Sequence, residues 1–182
     1  KYEILSEEFY EGLDAIGEFI GKQSSLENID LTFKYNSLEI TPEMLDAVCS
    51  GIRKLPNVKN LTLKLGKFSR FVGKNDIFPI SYLLNDLKKL ESFEVNGCEG
   101  KYLHDAEFTA IWNAVKGNTS LRTLKLFLDC EKITTKVYDN AVQIVKGLRH
   151  LKCLEIRPEG YNKKNKYSLI SAAQALSQGR QN

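Results

Sequence analysis

The stretch Leu121-Arg122-Thr123-Leu124-Lys125-Leu126 decides the fold, because it places apolar residues at the first, fourth and sixth positions of a recurring hexapeptide. The other four copies are LENIDL at 26–31, VKNLTL at 58–63, LESFEV at 90–95 and LKCLEI at 151–156. The first residues of successive copies are 32, 32, 31 and 30 positions apart. A near-constant period of this length is typical of stacked structural repeats, in which each unit contacts only its neighbours.

The segments before the hexapeptides have the three-to-four spacing of apolar residues that is typical of an amphipathic helix. Most residues ten, seven and six positions before the first residue of each hexapeptide are apolar. Unit by unit they are Ile16, Phe19 and Ile20; Val48 and Ile52; Ile80, Leu83 and Leu84; Ile111, Ala114 and Val115; and Ala141, Ile144 and Val145. Thr41-Pro42 and Asp105 are start signals for two of these helices. We predict one strand and one helix per unit, an N-terminal helix over 6–21 and a C-terminal helix over about 167–177.

Within the hexapeptides the apolar residues alternate with polar ones, as Ile29 and Leu31 alternate with Asn28, Asp30 and Thr32. Helical crossovers make neighbouring strands parallel, and a parallel sheet covered on both faces would have nearly continuous apolar strands. The alternation therefore predicts helices on one face only. The expected fold is an α/β solenoid of about five strand–helix units, with a curved parallel sheet on the concave side and the helices on the convex side.

The pattern L-x-x-L-x-L followed by a helix resembles the leucine-rich repeat, in its helix-bearing, ribonuclease-inhibitor-like variety, over about residues 6–176. The resemblance implies strands that line a concave surface and helices on the convex one. This sequence departs from the family after the hexapeptide, where the family places Asn or Cys. The corresponding residues are Lys34, Gly66, Cys98, Asp129 and Glu159, of which only Cys98 matches. We predict one divergent domain over 1–182, with units that start near 26, 58, 90, 121 and 151.

The end units of a solenoid are exposed unless something caps them. The chain begins with Lys1 rather than Met, and no further strand follows the predicted C-terminal helix. We therefore expect the sequence to be a segment of a longer chain, with additional chain or another protein against at least one end.

Composition excludes several classes of protein. The chain has 182 residues, 26 Lys and Arg against 23 Asp and Glu, and a formal net charge of +3, which is too small to indicate nucleic acid. No apolar run approaches the roughly 18 residues that span a membrane. Cys49, Cys98, Cys130 and Cys153 lack zinc or redox spacing. We interpret them as small buried apolar residues of an intracellular, cytoplasmic protein in a reducing compartment.

No catalytic motif is present in the sequence. His104 and His150, the only histidines, fall in predicted loops, and no spacing among the acidic residues picks out an acid–base pair. We interpret both histidines as solvated loop residues. The sequence predicts no enzyme, no cofactor and no metal site.

The polar face of the sheet is the candidate binding surface. Glu94, Lys125 and Glu155 are expected to be neighbours of alternating sign, which also fits a simple surface ion-pair ladder. Phe127 takes an outward position next to Arg157, and exposed aromatics with cations are typical of interface hot spots. The alternative is that Phe127 only stacks on Arg157 as a cation–π pair. The candidate partner-binding residues are Phe127, Arg157, Lys125, Glu94, Asn96 and Lys64.

Two basic loops, over 64–74 and 161–167, interleave cations with aromatic residues. Their cations are Lys64, Lys67, Arg70 and Lys74 in the first loop, and Lys163, Lys164 and Lys166 in the second. Such loops can clamp single-stranded nucleic acid, but solvated surface loops are the commoner arrangement.

The main hypothesis is a non-catalytic protein–protein interaction module, or a scaffold subunit of a larger multi-protein complex, that binds another protein through the concave strand face or a loop edge. Neither nucleic acid nor a membrane is the expected partner. The second hypothesis is a GTPase regulator, because the Ran GTPase-activating protein shares the helix-bearing repeat. The third is RNA binding through the two basic loops. A pull-down with and without nuclease and a GTP turnover assay separate the three.

Overall fold

The computed structural model of the chain describes residues 7–33, 42–65, 78–98, 104–128 and 133–156. Within these ranges helices and strands alternate strictly, as the repeat predicts. The elements are α1 (Glu7–Gly21), β1 (Asn28–Thr32), α2 (Pro42–Arg53), β2 (Asn60–Lys64), α3 (Phe78–Asp86), β3 (Ser92–Cys98), α4 (Asp105–Gly117), β4 (Thr123–Leu128), α5 (Thr135–Gly147) and β5 (Cys153–Ile156). The observed α1 agrees with the predicted N-terminal helix, whereas the predicted C-terminal helix over 167–177 lies outside the described residues.

The five strands form one parallel sheet in the order β1-β2-β3-β4-β5. The hexapeptides pair position for position, so that Leu31 lies opposite Leu63, Leu63 opposite Val95, and Val95 opposite Leu126. One register shift occurs, between Asn96 and Cys98. The sequence separation between paired residues on neighbouring strands therefore equals the period of the repeat.

Only one face of the sheet is buried. Leu61, Leu63, Phe93, Val95 and Leu124 are at most 1% exposed, whereas the residues between them are half-buried or exposed. These inward side chains form one core with the apolar faces of the helices, and consecutive helices contact each other along that side. The fold is thus the predicted leucine-rich-repeat-like α/β solenoid, with its helices on one face.

The end units are less well covered than the middle ones. Leu31 on β1 and Ile156 on β5 are only half-buried, and among the described residues each of these strands has a neighbouring strand on one side only. In α1, Ile20 is buried, but Ile16 is 47% and Phe19 66% exposed. This exposure agrees with the expectation that an end unit is exposed unless something caps it, since α2 is the only described helix in contact with α1.

Helix α1 reaches α2 through direct backbone contact. A Cβ atom added to Gly51 would lie 2.0 Å from the carbonyl oxygen of Gly17, and one added to Gly17 would lie 2.4 Å from the carbonyl oxygen of Ala47. Real Cβ atoms do not approach other atoms so closely. Glycine at 17 and 51 therefore sets the distance between the first two helices.

Two residues at the start of α4 have structural roles that the sequence did not indicate. Helix α4 begins at Asp105, and His104 is its N-cap, with a backbone N–H that donates to the buried Glu107 carboxylate at 2.9 Å. His104 is thus a half-buried helix cap rather than a solvated loop residue. The Asp105 carboxylate accepts bonds of 2.8 and 2.6 Å from the N–H and hydroxyl of Thr134, the residue before α5.

Asn118 is a buried polar residue between two successive helices. It is buried at the end of α4, and its Nδ2 donates to the carbonyl oxygens of Leu84 and Leu87 at 3.3 and 3.0 Å. These carbonyls lie at the end of α3, where a helix leaves acceptors without an intrahelical donor. The side chain therefore joins the ends of two successive helices.

The cysteine prediction holds for one thiol and fails for another. Cys49 is buried in the core, and burial raises the pKa of its thiol far above the usual value. Cys153 is exposed, because it takes the outward position at the start of β5. Both are free thiols.

Candidate functional site

The open face is the side of the sheet that no described helix covers. It consists of three columns of outward side chains, with one residue from each of the five strands in the first two columns and one from each of β1 to β4 in the third. The columns are Asn28, Asn60, Ser92, Thr123 and Cys153, then Asp30, Thr62, Glu94, Lys125 and Glu155, and then Thr32, Lys64, Asn96 and Phe127. Because the strands are parallel and in register, each column runs straight across the sheet.

The middle column contains the predicted charge ladder. The Lys125 ammonium lies 3.6 Å from the Glu94 carboxylate and 3.9 Å from that of Glu155. These side chains are 23–35% exposed, and ion pairs of this kind contribute up to about 1 kcal/mol each. A second pair joins Lys64 to Asp30 at 3.6 Å. The predicted neighbours are confirmed, and the ladder orders the side chains of the face.

The first column is held by an amide contact. The Nδ2 atom of Asn60 donates to Oδ1 of Asn28 at 2.6 Å. The Asn28 and Asn60 side chains are therefore paired as the backbones of β1 and β2 are, which fixes one donor and one acceptor in the first column of the open face.

Phe127 is the one large apolar residue among the described positions of the open face. It lies opposite Asn96, which in turn lies opposite Lys64. Its side chain is half-buried, as an outward aromatic ring among polar neighbours on a sheet must be. The structure thus brings Lys64, Glu94, Asn96, Lys125 and Phe127 together on three adjacent strands.

The remaining predicted site residues lie outside the described residues. They are Arg157, which is the stacking partner of Phe127 in the alternative interpretation, and the loop cations Lys67, Arg70, Lys74, Lys163, Lys164 and Lys166. Of the first basic loop the structure describes Lys64 and Leu65 only.

The described ranges contain neither a metal-binding cluster nor a membrane-spanning helix. No cluster of three His, Cys, Asp or Glu side chains there has an arrangement that could hold a metal ion. None of the helices in the same ranges has both the length and the apolar character of a membrane span.

Sequence analysis missed a second charged surface, where the helices lead back into the strands. The second hexapeptide position forms its own column of Glu27, Lys59, Glu91, Arg122 and Lys152. Lys59 is 2.9 Å from Glu27, and Arg122 is 3.9 Å from Glu91. A cleft of about 390 Å³ opens beside this column. This surface could have been found in the sequence by comparing the charges at equivalent positions of successive repeats, instead of the net charge of the whole chain.

The similarities of this chain to known proteins are similarities of structure. No family model and no curated protein matches the sequence. The tropomodulin C-terminal domain of Caenorhabditis elegans superposes with a TM-score of 0.59 at 8% identity, over 94% of this chain and 95% of that one. A domain described as Leiomodin-1 Actin-Binding Site 2 superposes with a TM-score of 0.57 at 15% identity, over 99% of this chain and 94% of that one.

These similarities cover nearly the whole chain, and at 8% and 15% identity they concern the fold. They agree with the parallel strand–helix repeat read from the hexapeptides. The function must be argued from the surface of this chain, because one fold serves many functions.

Proposed function

We propose that this chain is a non-catalytic protein-binding module whose open face receives a partner protein. The observation that carries the proposal is Phe127, a half-buried ring set among the ordered polar side chains of the face. Aromatic anchors surrounded by polar groups are the usual composition of interface hot spots. A simple solvated surface requires no large apolar residue at this position.

The dimensions of the open face indicate how the partner docks. Five strands about 4.8 Å apart span about 19 Å, and five residues of a strand extend about 17 Å. The projected area is therefore about 300 Å², whereas a stable interface buries about 800 Å² on each partner. A partner that binds the open face must also contact at least one edge of the sheet.

Actin is the first partner to test. The domain described as Leiomodin-1 Actin-Binding Site 2 shares the fold over nearly its whole length. The open face of the present chain carries both signs of charge and one aromatic ring, which suits a protein surface better than a small ligand.

The proposed setting is an intracellular one, within a larger chain or assembly. An exposed free thiol such as that of Cys153 persists most readily in a reducing compartment. The exposed Ile16 and Phe19 on α1 support an abutting segment or protein at that end. A helix in every described unit also favours the ribonuclease-inhibitor-like variety of the repeat. GTPase regulation and RNA binding through the basic loops remain predictions without support from a described residue.

The test is site-specific photo-crosslinking combined with binding measurements. A photoreactive residue replaces Asn96, which is exposed on the open face, and in a control replaces Gln143, which is exposed on α5. We expect a protein adduct, resistant to nuclease and competed by unlabelled protein, from position 96 and not from position 143. Cosedimentation with actin filaments then tests the named partner.

Phe127→Ala measures the contribution of the aromatic anchor. Removal of a hot-spot ring costs more than 1 kcal/mol of binding, so we expect affinity for the cross-linked partner to fall at least fivefold. Tyr82→Ala is the matched control, because Tyr82 is an aromatic residue, 45% exposed, that lies on α3. Equal adduct yields at positions 96 and 143, or equal affinities of the two alanine variants, would contradict the proposal.

A further inference from the structure

The helix-to-strand edge of the solenoid concentrates positive charge. We define the basic edge as residues 22–27, 53–59, 86–91, 116–122 and 146–152, which comprise the last one or two residues of α2 to α5 and the connection from each helix to the following strand. These segments contain eleven Lys and Arg against three Asp and Glu, a formal charge of +8 in a chain whose total is +3. The remainder of the chain is therefore negative, and the basic edge is its dominant cationic surface.

The three acidic residues of the basic edge are already paired. Glu27 binds Lys59 at 2.9 Å, Asp86 binds Arg53, and Glu91 lies 3.9 Å from Arg122. Six further lysines are exposed and form no ion pair with a described residue: Lys54, Lys88, Lys89, Lys116, Lys146 and Lys152. The basic edge thus has cations left for an external anion.

A cleft of about 390 Å³ lies on the basic edge. Its charged walls are Lys59, Lys89, Arg122 and Glu91, and His150 completes the basic side. The Arg122 side chain is 52% exposed, and its contact with Glu91 is long, so its guanidinium N–H groups are accessible to a second carboxylate. Arginine binds carboxylates through two parallel hydrogen bonds, which makes this cleft suited to an Asp or Glu side chain.

We propose that the basic edge binds an extended acidic segment of the partner protein, rich in Asp and Glu. Each segment of the edge leads into one strand, so the five segments have the spacing of the strands and span about 19 Å. An extended peptide covers this distance with about six residues at about 3.3 Å each. The segments of the basic edge contain no Phe, Tyr or Trp, and the neighbouring Tyr82 ring on α3 is already stacked against Arg53, 5.3 Å from its guanidinium carbon. Surfaces that bind single-stranded nucleic acid instead stack bases on aromatic rings. An acidic peptide needs only the cations that are present.

This inference rests on the proposed protein-binding role and supplies the edge contact that the small open face requires. It uses none of the open-face residues, so the two surfaces can be tested separately. Long-range attraction by the +8 edge accelerates encounter with an acidic partner, and this effect weakens as salt shortens the screening length.

The probe is a fluorescein-labelled peptide of eight glutamates, measured by fluorescence anisotropy at low and at physiological salt. The comparison probes are a peptide of eight glutamines and a single-stranded oligonucleotide of eight thymidines. The variants Lys89→Gln and Lys152→Gln each remove one cation of the basic edge. Lys136→Gln removes one exposed cation at the start of α5, away from the edge, and serves as the matched control.

We expect the glutamate peptide to bind and the glutamine peptide not to bind. Each edge variant should weaken binding about two- to fivefold, the range of one exposed ion pair, whereas Lys136→Gln should change it less. Phe127→Ala should leave peptide binding unchanged, so that loss of the open-face function and loss of the edge function give different results. Circular dichroism melts of every variant establish that the fold is retained.

Three results would overturn the inference. The first is absence of glutamate-peptide binding at low salt. The second is an equal loss in Lys89→Gln, Lys152→Gln and Lys136→Gln, which would reflect net charge alone. The third is tighter, edge-dependent binding of the oligonucleotide than of the peptide, which would identify nucleic acid as the ligand.

Discussion

Gly51→Ala should separate helix α1 from the rest of the solenoid. The new methyl group would lie 2.0 Å from the Gly17 carbonyl oxygen and 2.6 Å from its carbonyl carbon. Because the obstacle is backbone rather than a flexible side chain, no rotamer change relieves the clash. Helix α1 must retreat by at least about 1 Å, which is large against the 8–10 Å that usually separates packed helices.

The magnitude follows from two opposing effects. Overpacking of a close contact costs about 1–3 kcal/mol, while alanine in a helix interior gains up to about 1 kcal/mol over glycine. We expect a net loss of about 1–2 kcal/mol in the free energy of unfolding. Gly12→Ala in α1 is the control, because a Cβ there meets nothing within 4 Å. It retains the helix-propensity gain alone and should stabilise the protein.

The assay is urea unfolding followed by circular dichroism, together with native-state hydrogen exchange. In Gly51→Ala the amides of α1 should lose protection while those of α3, α4 and α5 retain it, because a solenoid transmits stability only between neighbouring units. The opposite signs of the two glycine variants are the decisive observation. If Gly51→Ala were as stable as Gly12→Ala, with α1 fully protected, the backbone contact between the first two helices would be refuted.

Two further predictions concern buried polar and thiol groups. Asn118→Ala should lower the free energy of unfolding by about 1–3 kcal/mol, since it removes the side-chain donor to the Leu84 and Leu87 carbonyls, of which the second keeps its bond from the Leu90 N–H. Asn113→Ala on the exposed side of α4 should have little effect in the same denaturation assay. With a thiol reagent at neutral pH, Cys153 should react at once and Cys49 only on unfolding; immediate labelling of Cys49 would contradict its burial. Because burial raises the pKa of Cys49, the unfolded thiol loses its proton first, and stability should fall as the pH rises above about 8.5.

The strands and their register were predictable because two independent periods agreed. The spacing of 30–32 residues fixed which strands are neighbours, and the alternation within each hexapeptide fixed which side is buried. A slip of one residue would have turned Leu63 and Val95 to solvent, so burial of one face leaves only one register. For the same reason the grouping of Glu94, Lys125 and Phe127 followed from the sequence.

Contacts between helices were not predictable from these periods. The approach of Gly17 to Gly51 depends on how far α1 lies from α2, and neither period carries that distance. Nor does periodicity show that Asp105 accepts hydrogen bonds from Thr134 instead of capping its own helix. Exposure of Ile16 and Phe19 has a related cause, because the pattern of an end helix is the same as that of an inner one while its surroundings differ.

The net charge of the whole chain conceals how unevenly charge is distributed over the surface of the solenoid. A net charge of +3 indicates no particular partner, yet stacking brings together loops that are about 30 residues apart in sequence and collects a charge of +8 along one edge. In a repeat protein the physically meaningful sum runs over equivalent positions of successive units, because those positions become neighbours about 4.8 Å apart. Opposite charges at one position, such as Lys59 and Glu27, then pair, and cations at others, such as Lys54 and Lys89, accumulate on the same edge. The attraction that we propose for an acidic partner therefore depends on the cations of several repeat positions together, because these cations have no described acidic residue beside them.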